Sequence, residues 1–155
     1  MTPNRLLAAI TALVTVSIPA WAGLGSKDAQ YLGGTLQIKE GTEGKTSTSD
    51  EKVFTFDYKG GKLTIPYEQI DSLEYGQKAG RRIGVAIVVN PLFLFSKKRK
   101  HFLTLGYKDA EDKQQAGVFE LGKDIIRVTL ATLEARSGRK IEYQDEEARK
   151  SGRGN

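Results

Sequence analysis

Between Leu36 and Leu121 several short runs carry apolar residues at alternate positions, separated by small and charged residues. That is the period of half-buried β-strands. Leu36 and Ile38 alternate with polar neighbours in TLQIKE, after a polar lead-in from Gly23 to Gln30. Gly41 to Glu51 (GTEGKTSTSDE) is small, polar and rich in turn formers, and predicts a loop. Phe54, Phe56 and Tyr58 alternate with Thr55 and Asp57, so three rings share one strand face. Gly60-Gly61, between Lys59 and Lys62, predicts a two-residue hairpin turn, because glycine accepts positive φ at both positions. Leu63 and Ile65 form the return strand. Pro66 has no N–H to give a ladder, so a bend or a sheet edge is expected there. Ile70, Leu73 and Tyr75 begin another strand. His101–Tyr107 (HFLTLGY) and Gln114–Leu121 (QQAGVFEL) add two more, around a charged turn at Asp109–Lys113.

The period then changes. Ile126, Leu130 and Leu133 recur at i, i+4 and i+7, one stripe of a helix running roughly from Asp124 to Ser137. Asp124 is placed to cap its start, and Gly138 followed by Arg139-Lys140 to stop it. Residues 144–155 are mostly charged and end in SGRGN, the composition of a frayed or disordered tail. No repeat or linker divides the chain, so 23–143 is read as one domain.

Residues 1–22 have the grammar of a secretory signal peptide. Arg5 gives a positive start, Leu6–Ile18 an apolar core, and Ala20-Trp21-Ala22 a small-x-small cleavage site. The expectation is an exported protein, periplasmic or secreted, or peripheral at a membrane, beginning at Gly23. With no cysteine it has neither a disulfide framework nor a lipid-attachment thiol. A chain of this length suffices for one core held by packing alone.

Six or seven short antiparallel strands followed by one amphipathic helix predict a mainly β fold, a bent sheet or split barrel capped by a C-terminal helix. IPYEQIDSLEYG (Ile65 to Gly76), HFLTLGYKD, Gln115 to Leu121 and the helix DIIRVTLATLEAR resemble the pleckstrin-homology-like (PH-like) superfamily, particularly its GRAM and bacterial PH-like branches. SKKRKHFLTLGYKD and GRKIEYQDEEARK are similar to a group of small exported bacterial proteins. The resemblance covers about Gln30 to Tyr143. It departs from the family in a long apolar insert and in the missing helix tryptophan, for which Leu133 is the stand-in.

That insert carries most of the functional interest. Lys78 to Lys100 reads KAGRRIGVAIVVNPLFLFSKKRK: an apolar block, Ile83 to Phe95, between Arg81-Arg82 and Lys97-Lys98-Arg99-Lys100. The stretch holds seven cations and no carboxylate. Without it, the chain from Gly23 on has 16 Lys+Arg against 19 Asp+Glu. The basic character is therefore local, and local charge speaks of partners. At 13 residues the block is shorter than the ~20 a spanning helix needs. Three readings stay open. The block is a core strand and turn, with Val85, Ile87 and Val89 alternating before Asn90-Pro91. Or it rests at a membrane surface, with Leu92, Phe93, Leu94 and Phe95 below the headgroups. Or it meets a protein partner.

Candidate chemistry is sparse. His101 is the sole histidine, follows four basic residues expected to lower its pKa, and is a conceivable base for a hydrolase acting with a carboxylate. One histidine and no cysteine argue against a transition-metal site, and no cofactor is expected. Asp145-Glu146-Glu147 reads as a solvated acidic run. Gly41–Thr46 lacks the glycine spacing and the following helix of a phosphate loop. In the PH-like family inositol phosphates meet basic residues on the first two strands. The corresponding Lys39, Lys45 and Lys52 are here diluted by Glu40, Glu43, Asp50 and Glu51. Nucleic acid is not expected, because Lys97–Lys100 has no interleaved aromatic platform. The sequence thus predicts a non-enzymatic binding or scaffolding module. Its contact residues are Arg81, Arg82, Leu92–Phe95, Lys97, Lys98, Arg99 and Lys100. Its partner is an anionic lipid surface or, alternatively, an envelope protein for which it is an adaptor.

Overall fold

Two antiparallel meanders joined edge to edge make the sheet. The computed structural model describes residues 29–77 and 100–154. The first meander is β1 (Ala29–Gly34), β2 (Thr42–Ser47), β3 (Val53–Tyr58) and β4 (Gly61–Pro66). The second is β5 (Ile70–Gly76), β6 (Phe102–Lys108) and β7 (Gln114–Leu121), and β1 pairs with β7 to join them. A short β8 (Ile141–Tyr143) adds in parallel to β5, giving the order β4-β3-β2-β1-β7-β6-β5-β8. The chain is mainly β, an open eight-stranded sheet curled into a half-barrel. Register shifts between Tyr31 and Gly33 and between Ile70 and Ser72 help it curl, since each leaves an extra residue on one strand.

The concave face holds the core. Phe119 is its centre, meeting Tyr31, Phe54 and Phe56 edge-on at centroid distances of 5.6, 6.1 and 5.2 Å. The rings of β3 fall where alternation put them, Phe54 and Phe56 fully buried and Tyr58 packed at the margin. Helix α1 (Ile126–Ser137) closes this face with Ile126, Leu130 and Leu133. It ends at Gly138, whose φ of 68° turns the chain out of the helix. Pro66 ends β4, which is the edge strand, as its missing N–H requires.

Five local expectations are corrected. TLQIKE is not a strand: β1 lies before it, and Leu36 and Ile38 pack on the core from an irregular segment. The extended chain instead includes Gly33 and Gly34, at φ 157° and 140°, and places Tyr31 against Phe119. The expected loop 41–51 contains β2, held by pairing on both sides despite its small polar residues. The hairpin turn is Lys59-Gly60, since Tyr58 pairs with Gly61, and only Gly60 needs positive φ. Asp124 does not cap α1; its N-cap is Ile125, which makes no side-chain cap. Finally, the tail is not frayed. It forms helix α2 (Glu146–Arg153), so the described residues hold two α-helices where one was expected. The Asp145 carboxylate accepts from Ala148 N at 2.7 Å, Glu146 and Glu147 occupy the first turn, and Lys150 and Arg153 the last. That arrangement satisfies an orphan N–H and opposes the macrodipole at both ends.

Candidate functional site

The basic-flanked stretch leaves the fold at one corner. Gly76, on β5, pairs directly with Phe102, on β6, and Gln77 and Lys100 follow and precede them. Arg81, Arg82, Leu92, Phe93, Leu94, Phe95, Lys97, Lys98 and Arg99 lie outside the described residues, as do the strand and turn expected over Val85–Pro91. Lys100 is the described contact residue. Its Nζ lies 2.8 Å from Oε2 of Glu120 on β7, with the two side chains 21% and 27% exposed. Lys100 is therefore engaged within the chain and anchors the end of the stretch.

Next to it is a partly buried polar relay. His101 Nδ1 is 2.6 Å from the Tyr75 hydroxyl, which is 3.2 Å from Ser151 Oγ on α2. The imidazole and phenol rings are stacked, 9° from parallel, and Tyr143 meets Tyr75 edge-on at 6.0 Å. Burial pushes the His101 pKa down, with Glu120 opposing and Lys123 reinforcing. The direction agrees with the expectation, but burial rather than the preceding basic run is the leading cause. Burial likewise raises the Tyr75 pKa. In the tautomer with its proton on Nε2, a neutral imidazole accepts at Nδ1 from the phenol, whose oxygen can then accept from Ser151. Ser151 thus bonds to a phenol and not to a base. The geometry ties α2 to the corner from which the stretch departs.

Glu74 stands on the opposite face of β5 from Leu73 and Tyr75 and is 4% exposed. Its Oε1 accepts from Gln144 Nε2 at 2.9 Å, whereas its Oε2 has no hydrogen-bond partner among the described residues. Among the described residues, two further clefts are formed. One, of about 560 Å³, runs between Lys52, Val53, Tyr67 and Arg136; the other, of about 330 Å³, is lined by Leu36, Ile38, Tyr58, Leu63 and Tyr107. Asp109, at the rim of the second, accepts from Gln115 at 2.8 Å and from the N–H of Glu111 and Lys113 at 2.9 Å. Those bonds hold its carboxyl below the usual range, and it is a turn builder. Among the described residues no cluster of three His, Cys, Asp or Glu could hold a metal ion.

Sequence reasoning missed Tyr75, Glu74 and Ser151 as a group. Alternation marked Tyr75 only as a core position, and a carboxylate opposite it looks solvent-facing in any strand. For Ser151 a signal was present: Asp145, two acids in the next two positions and bases one and two turns later form a helix signature. Comparisons with family models, curated proteins and solved structures find no match to this chain.

Proposed function

We propose that the chain is a non-catalytic, exported PH-like module held against an anionic membrane surface by its basic cluster. The observation carrying this is charge segregation: seven cations and no carboxylate between Lys78 and Lys100, in a chain otherwise net acidic from Gly23 on. A four-strand meander, a three-strand meander and a following helix support the PH-like assignment. Export rests on the leader-like residues 1–22. Lys100 is committed to Glu120, so contact falls to Arg81, Arg82, Lys97, Lys98 and Arg99. A basic residue near an anionic surface contributes about 1 kcal/mol.

The test is replacement of Lys97, Lys98 and Arg99 by serine. Three lost charges correspond to about 3 kcal/mol, or roughly 150-fold in partitioning onto anionic vesicles. Circular dichroism should be unchanged, because exposed charges contribute little to folding. A variant that binds such vesicles as well as the parent chain overturns the proposal.

A further inference from the structure

β6 is buried on both faces, and the described elements account for one of them. Leu103, Leu105 and Tyr107 point into the core. Phe102 (3% exposed) and Thr104 (1%) point the other way, with Val118 (0%) opposite Thr104 on β7. Leu32, in the bulge of β1, is also fully buried. Leu32, Phe102 and Val118 do not belong to the core cluster. Both helices are on the core side, since Ile126, Leu130 and Leu133 of α1 and Ala148 of α2 are core members. An antiparallel sheet with helices on one face leaves the other face wet. A phenylalanine on that second face reaches such low exposure only beneath another layer of atoms.

We propose that this layer is the apolar block Ile83–Phe95 of the same chain, seated on the outer face of β1-β7-β6-β5. Its tether is short at both ends. Gly76 and Phe102 are cross-strand partners, so the 22 residues between Gln77 and Lys100 leave and re-enter about 5 Å apart, at the margin of this face. Eleven residues out and eleven back reach about 36 Å, further than the roughly 23 Å of a seven-residue strand.

Charge selects this segment over the other candidate. The face carries Glu120, already paired with Lys100, and the buried Oε2 of Glu74, which lacks a hydrogen-bond partner among the described residues. A buried carboxylate is stabilised by a cation beside it, and the stretch supplies cations with no competing acid. Residues 1–28 also enter at this end of the sheet, because Ala29 pairs with Leu121. They offer only Arg5 and Lys27, the latter next to Asp28. The seat assigns Leu92–Phe95 to the sheet rather than to lipid and leaves the basic flanks at its margin. It stands whether or not those flanks meet a membrane.

The chain has no cysteine, so one introduced thiol reports cleanly. Thr104→Cys should react with a maleimide about a hundredfold more slowly than Ser49→Cys in the exposed loop before β3. Replacing 83–95 by Gly/Ser of equal length should bring the rate within about tenfold of that control, with the sheet retained by circular dichroism. Breaking the apolar run Leu6–Ile18 with serines should leave the protection intact. A second measurement needs no deletion: p-benzoylphenylalanine in place of Phe102, photolysed in the intact chain, should crosslink to a peptide between 83 and 95. Crosslinks to residues 1–28, to lipid or to another protein overturn the proposal. So does protection that survives loss of 83–95 or disappears when 6–18 is altered.

Discussion

Leu133→Asp should unfold the protein. Leu133 is fully buried in the core cluster, on the stripe through which α1 closes the sheet. Truncation to alanine alone costs about 2–5 kcal/mol, the transfer term plus the cavity. Aspartate adds a carboxyl group with no partner in that apolar seat. Whether it stays charged or takes up a proton, the penalty is several kcal/mol more. The sum equals much of the 5–15 kcal/mol by which a domain is ordinarily stable. Val128 sits on the same helix and is 66% exposed, so Val128→Asp controls for charge and helix propensity and should stay within about 0.5 kcal/mol of the parent. Thermal and urea unfolding followed by circular dichroism separates the three. At about 3 °C per kcal/mol, Leu133→Ala should melt roughly 6–15 °C low, and Leu133→Asp should show no cooperative transition. If Leu133→Asp melts within a few degrees of Val128→Asp, α1 is not docked through this stripe and the account of the core fails.

Gly152→Val should detach α2, although replacing a helical glycine ordinarily favours the helix. A Cβ there would lie 2.8 Å from the Tyr143 ring and 3.1 Å from Leu130 and Tyr75, so crowding outweighs propensity. Faster tryptic cleavage at Arg149 and Lys150 is the expected readout, and protection equal to the parent contradicts it. His101 gives a pH dependence. Its folded pKa lies below the ordinary 6.5, so below that value the unfolded chain binds more protons and stability falls as pH drops. Urea midpoints between pH 5 and 7 should decline toward acid in the parent and less steeply in His101→Gln; identical slopes remove His101 as the cause.

The parts legible in the sequence were those in which a side-chain pattern alone sets the structure. The alternating rings at Phe54 and Phe56, the β5 to β7 segments and the Ile126–Leu133 stripe are in that group. The split between the two faces of a strand was legible too, but not what lies beyond the second face. β2 was missed because its identity comes from neighbours on both sides, with no apolar alternation of its own. α2 was missed because it docks through Ala148 and Gly152, residues too small to register as an apolar stripe. At the candidate site the charge cluster could be read directly. The Tyr75–His101–Ser151 relay could not, since it joins residues up to 76 positions apart.

Co-sedimentation of the purified chain with anionic and neutral vesicles, across ionic strength, tests the central claim most directly. Screening lengths shrink from about 30 Å at 0.01 M salt to about 8 Å at 0.15 M. Attraction through Arg81, Arg82, Lys97, Lys98 and Arg99 should therefore give strong binding to anionic vesicles at low salt, a steep loss as salt rises, and none to neutral vesicles at any salt. A chain that stays in the supernatant with anionic vesicles at 0.01 M salt, or that binds both kinds equally, contradicts the membrane reading.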